Sequence, residues 1–133
     1  MISGLIDLLR NASTVSSIAG GRVHANKAPQ NSALPYIIVT QISSEENQTL
    51  DGNVGVRAVD FDIDCKAERS VTANNLGNAV RIYIQNYTGT AGTETIKAVN
   101  LNDQSSQYES PEDGSDRGVY VSIIDATIHY EPI

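Results

Sequence analysis

The chain has 133 residues, a formal net charge of −7, a pI near 4.6 and a single cysteine. That length suits one domain with one real core. The acidic balance and nine scattered basic residues exclude a nucleic-acid wrap, which needs clustered Lys and Arg. One cysteine excludes an internal disulfide framework and a Cys-based zinc site.

Residues 1–10 lack the basic start and unbroken apolar run of a secretory signal, and no segment reaches the ~18 apolar residues of a membrane span. The expectation is a chain made in the cytosol. Ser3 is placed to cap a first helix carrying Leu5, Ile6, Leu8 and Leu9. A short turn with Val15 and Ile18 follows, closed by Gly20 and Gly21. Residues 22–25 suit a short strand, and residues 27–34 a loop into Pro35. Residues 36–43 read as a strand that is apolar on both faces, hence central and covered twice. Residues 44–55 read as a long protruding loop, or as two strand extensions tipped at Asp51 and Gly52.

Residues 56–67 are the most informative stretch. Val59, Phe61, Ile63, Cys65 and Ala67 alternate with Asp60, Asp62, Asp64 and Lys66. Successive strand side chains point to opposite faces, so this strand has one apolar and one acidic side. A main helix is expected over 68–87, with Val71, Leu76, Val80, Tyr83, Ile84 and Tyr87 as its apolar stripe and Ser70 or Thr72 as its cap. Residues 88–93 (T-G-T-A-G-T) read as a flexible break, 94–103 as a strand, and 104–118 as a second long loop. Residues 119–130 form the last strand, with Tyr120, Ile124, Ala126, Ile128 and Tyr130 on one face. The other face holds Val121, Ile123, Asp125, Thr127 and His129. The fold class is α+β: an antiparallel sheet of about four main strands with two helices on one face, in the order α-β-β-α-β-β, as a single domain over 1–133.

No catalytic, cofactor or metal residues are assigned. Alternate strand residues stand about 6.5–7 Å apart, so Asp60, Asp62 and Asp64 do not converge easily on one cation. His24 and His129 have no metal-ligand spacing, and the glycine pairs form no phosphate-binding loop. Cys65 on an apolar face reads as a buried hydrophobe, which opposes pairing with His129 as a nucleophile. The two long loops are the candidates for docking. Glu45, Glu46, Leu50 and Asp51 are the expected interface residues, with Leu50 as apolar anchor.

G-G-R-V-H at 20–24, A-P-Q at 28–30, L-P-Y-I-I-V at 34–39, T-L-D-G at 49–52, V-D-F-D-I-D-C at 59–65, the 79–84 part of the helix and the closing I-H-Y-E at 128–131 occur in order along nearly the whole chain. This ordered set resembles the tail completion, or tail-to-head joining, proteins of long-tailed bacteriophages. The resemblance implies a small non-enzymatic α+β subunit, able to stay monomeric until it meets the tail, that forms a ring, typically hexameric, on the head-proximal end of a finished tail tube. Its partners would be the tail tube protein, the head-to-tail connector protein and sister copies. Double-stranded DNA would pass through the ring unbound, and no membrane or cofactor would be involved. The expected location is the virion tail, after assembly in the host cytoplasm. In such a ring Asp60, Asp62 and Asp64 are the expected channel-facing acidic stripe, repelling phosphate. The rival expectations are a monomeric protein-interaction module and a small hydrolase using Cys65 or the aspartates.

Overall fold

The computed structural model describes residues 2–29, 33–49, 52–109 and 118–132. Chain order is α1 (Ile2–Asn11), α2 (Ser13–Ala19), β1 (Val23–Ala25), β2 (Tyr36–Thr49), β3 (Gly52–Ala67), α3 (Ser70–Gln85), β4 (Gly89–Ala91), β5 (Glu94–Glu109) and β6 (Val119–Pro132). The strands form one six-stranded sheet in the order β1-β2-β3-β6-β5-β4. The class is α+β as expected, but among the described residues with three helices and six strands, in a mixed curled sheet.

The additional elements are the short ones. The turn around Val15 is a full helix, α2, ended by Gly20 at φ 61° with its N–H donated to the Ser16 carbonyl. The expected flexible break holds β4, which pairs with β5 through a two-residue turn at Gly92 (φ 65°) and Thr93. β1 lies parallel to β2, so the sheet is not wholly antiparallel. Parallel neighbours cannot be joined by a tight turn.

Two expected loops are largely strand. β2 and β3 run on as a twisted hairpin to the Thr49–Gly52 pair, with bulges between Gln41 and Ser43 and between Glu46 and Gln48. Strand extension, not a protruding loop, is thus the form residues 44–49 and 52–55 take; Leu50 and Asp51 lie outside the described residues. Residues 104–109, expected in a loop, continue β5 against β6; residues 110–117 lie outside the described ones.

The helices cover one sheet face. Phe61, Ile63 and Cys65 of β3 and Ile124, Ala126 and Ile128 of β6 join Leu5, Leu9, Leu76, Val80 and Ile84 in one buried cluster. Burying a side chain of this size stabilises by roughly 1.5–3 kcal/mol. α3 lies across β6, β3 and β5, while α1 touches β1, β2 and also β4. One short helix reaching both end strands requires the sheet to curl around it.

Three details differ from expectation. Ser3 lies inside α1 instead of capping it. The cap position of α3 is Arg69, without a side-chain hydrogen bond, so neither Ser70 nor Thr72 caps it. Val71 is 68% exposed and stands outside the apolar stripe, whose buried members are Ala73, Leu76, Gly77, Val80 and Ile84. At Ile37, Ile38 and Val39 β2 is buried on both faces as expected, and Ile38 lies on the helix-free face at 8% exposure, with His24 and Asp64 as register neighbours.

Gly77 sets how closely α3 approaches β6. A Cβ there would strike Ser122 Oγ and stand 2.8 Å from Ser122 Cβ. In an exposed helix Gly→Ala gains about 1 kcal/mol. At this contact the sign should reverse: Gly77→Ala is expected to destabilise by about 1–3 kcal/mol through overpacking. Urea unfolding of the variant, alone and combined with Ser122→Gly, measures this; the second change should return part of the loss.

Candidate functional site: the helix-free face of the sheet

Phe61, Ile63 and Cys65 face the helices, which turns Asp60, Asp62 and Asp64 to the opposite side. Antiparallel register with β6 then sets Thr127 beside Asp60, Asp125 beside Asp62 and Ile123 beside Asp64. A fourth carboxylate thus joins the row. The β6 alternation places Asp125 on this face, but only the register brings it opposite Asp62.

The polar groups here are wired together. Thr127 Oγ1 donates to Asp60 Oδ1 at 2.5 Å. Asn102 Nδ2 donates to Thr127 Oγ1 at 2.8 Å and reaches Asp125 Oδ1 at 3.5 Å. Asn102 is the extra residue at the β5 bulge between Leu101 and Asp103, and bulges commonly re-aim a side chain in this way. Asn100 Nδ2 lies 3.1 Å from His129 Nε2. At the other end of the row Lys66 Nζ pairs with Glu109 at 3.3 Å, across Val121, which is 2% exposed. None of these cross-strand partners follows from local sequence, because each depends on register between distant segments.

The carboxylates are partly buried, so the face is less wet than alternation alone implies. Burial raises Asp62 above its ordinary value, and Asp125 adds to the effect. Burial likewise raises Asp64; Asp62 and Glu109 add to this, while Lys66 opposes it. The row is an acidic surface held against its own repulsion by the apolar packing behind it.

This arrangement is poorly suited to covalent chemistry. Cys65 is fully buried, and burial followed by the charge of Asp64 pushes its thiol far up. It faces the helices opposite Ser122, whereas His129 lies on the other face opposite Ala58, so the two form no pair. Among the described residues no group of three or more His, Cys, Asp or Glu is placed to hold a metal ion. A hollow of about 160 Å³ lined by Leu34, Pro35, Ala67, Glu68, Arg69 and Thr72 is smaller than a usual small-molecule site. Glu45 and Glu46 lie on β2 opposite Ala58 and Arg57, well along the hairpin.

The family model for tail completion protein gp17 matches residues 3–125. The chain belongs to that family. It is a structural component of phage tails, and membership in a structural virion family speaks against an enzyme. The fold of this tail completion protein is also similar to a chain in the virion of a native gene transfer agent particle. The TM-score is 0.69 at 12% identity, covering 96% of this chain and 91% of that one. No curated protein matches the sequence.

Two outcomes are expected from this geometry. Native Cys65 should resist alkylation by a maleimide and react fully after unfolding, as mass spectrometry would read. Because the folded protein holds protons on Asp62 and Asp64 more tightly than the unfolded chain, their contribution to stability falls as pH rises above the ordinary value of 3.8. Asp64→Asn removes one such group. Its melting temperature should exceed that of the wild type at pH 7, and the gap should close below pH 3.8.

Proposed function

We propose that this tail completion protein caps the head-proximal end of the tail tube and joins it to the head connector. It does so as a ring, typically of six copies, through which double-stranded DNA passes. Assembly takes place in the host cytoplasm, and the ring stays in the virion. The observation that carries this reading is the family match along residues 3–125.

The site chemistry supports it. A passage for DNA must not retain phosphate. A net charge of −7 per copy, repeated around a ring, gives a field that repels it. Asp60, Asp62 and Asp64, with Asp125 beside them, form the surface we assign to the channel or its rim. The sheet ends support self-association, because a strand edge with free N–H and C=O groups readily takes another strand. A head-to-tail contact of this kind closes into a ring when the rotation per copy is right. Glu45 and Glu46 on the β2–β3 hairpin are assigned to contacts with neighbours or the tube. Leu50 and Asp51 keep that assignment from sequence position alone.

The decisive test is electron microscopy of particles made without this protein. Overlong or headless tails are expected; tails of normal length joined to heads would refute the role. Asp62→Lys should leave the melting temperature within a few degrees of wild type yet slow DNA ejection, while Asp62→Asn should have the smaller effect. Ejection followed by dye fluorescence checks this, and equal rates in all three would remove the stripe from the channel.

A further inference from the structure

β5 is longer than its outer cover. β4 accompanies it only from Glu94 to Ile96, while β5 itself continues to Glu109. Along residues 97–109 β6 lies on the inner side, and among the described residues no strand lies on the outer side. The last part of this edge is regular: Asp103 to Glu109 form seven consecutive pairs with β6, without a bulge. Residues 102–109 are all exposed, and residues 98–109 contain no Lys, Arg or Pro. Soluble proteins usually protect an edge with lysine, proline, a bulge or a covering loop. Among the described residues this run is therefore left open to pairing.

Among the described residues the same chain supplies a second open edge at the other side of the sheet: β1 covers β2 only at Ile37, Ile38 and Val39, and β2 goes on to Thr49. Through the order β2-β3-β6-β5, with each pair antiparallel, β2 and β5 run in opposite directions. A second copy set head-to-tail thus offers its β2 antiparallel to β5, the pairing that dominates this sheet. Each edge also presents one large apolar side chain to solvent, Ile42 at 57% and Tyr108 at 53% exposure. The Tyr108 ring lies against Tyr120 at 4.9 Å between centroids, which holds it in place.

Self-pairing of two β5 edges is opposed by charge. An antiparallel pair centred on Ser106 would set Asp103 opposite Glu109 twice, and like charges directly opposite are destabilising. From these observations we infer that the outer edge of β5 at residues 103–109 pairs with the outer edge of β2, from Thr40 onward, in a second copy of this chain, with Tyr108 and Ile42 as the apolar anchors. The inference rests on the ring reading above and specifies its subunit contact.

The test is a chain carrying Ile42→Cys and Ser105→Cys, assembled on purified tail tubes and treated with a bis-maleimide that spans a two-residue register slip of about 7 Å. Native Cys65, with no exposed surface, stays silent. A ladder of linked copies from the double variant, absent from either single variant, is expected. Dimers from Ser105→Cys alone would show β5 meeting β5 and overturn the inference. Capped tails without any linkage would overturn it while leaving the capping role intact. Failure of the wild-type protein to cap tubes would remove the capping role and this contact with it. As a second measurement, a chain with both Ser105→Lys and Gln107→Lys should melt like the wild type and lose capping; normal capping by it would also overturn the inference.

Discussion

The pairing of β3 with β6 in the middle of the sheet is the constraint on which the rest depends. These two strands place Phe61 beside Ala126 and Ile63 beside Ile124, directly beneath the helices. A slip of one residue would exchange every inward side chain for an outward one. It would put Asp60, Asp62 and Asp64 into the core and Phe61 and Ile63 into water. The apolar side therefore sets the position of the acidic side. The carboxylates hold their places because moving them would expose the core, not because they attract one another.

This explains how a row of like charges persists. Asp62 and Asp125 face each other, and both carboxyls of the pair Asp62 and Asp64 hold their protons more tightly than usual. Such a surface works against folding. It is offset by the buried cluster behind it and by local hydrogen bonds such as Asn102 to Thr127 and Thr127 to Asp60. Under the proposed function such a face has a use, since a surface that repels phosphate does not slow passing DNA.

The sheet margins follow a different logic. α1 reaches β1, β2 and β4, so curling brings the short end strands onto one helix. The long strands β2 and β5 extend past those covers at opposite sides of the sheet. Among the described residues the interior is thus closed within one copy, while stretches of both margins have no neighbouring strand. Under the proposed ring that division lets folding and assembly use different surfaces.

Local alternation was enough to read the α+β class, the two-sided character of β3, the burial of Cys65 and most of the α3 stripe. These depend on strand period, helix period and the cost of exposing Phe or Ile, all of which act within a few residues. The short elements β1, α2 and β4 were weakly legible because three to seven residues carry little periodicity. Residues 104–109 looked like a loop, and residues 44–49 allowed a loop as well as a strand extension, because both are polar. They are strands because β3 and β6 lie beside them, and a ladder of backbone hydrogen bonds is indifferent to side-chain polarity. The sequence alone determined which side chains of β3 share a face. Only the tertiary structure decided which distant residues stand opposite them, including Asp125, Thr127 and Asn102, since register between separate segments is set by core packing and bulges and not by any property local to either segment.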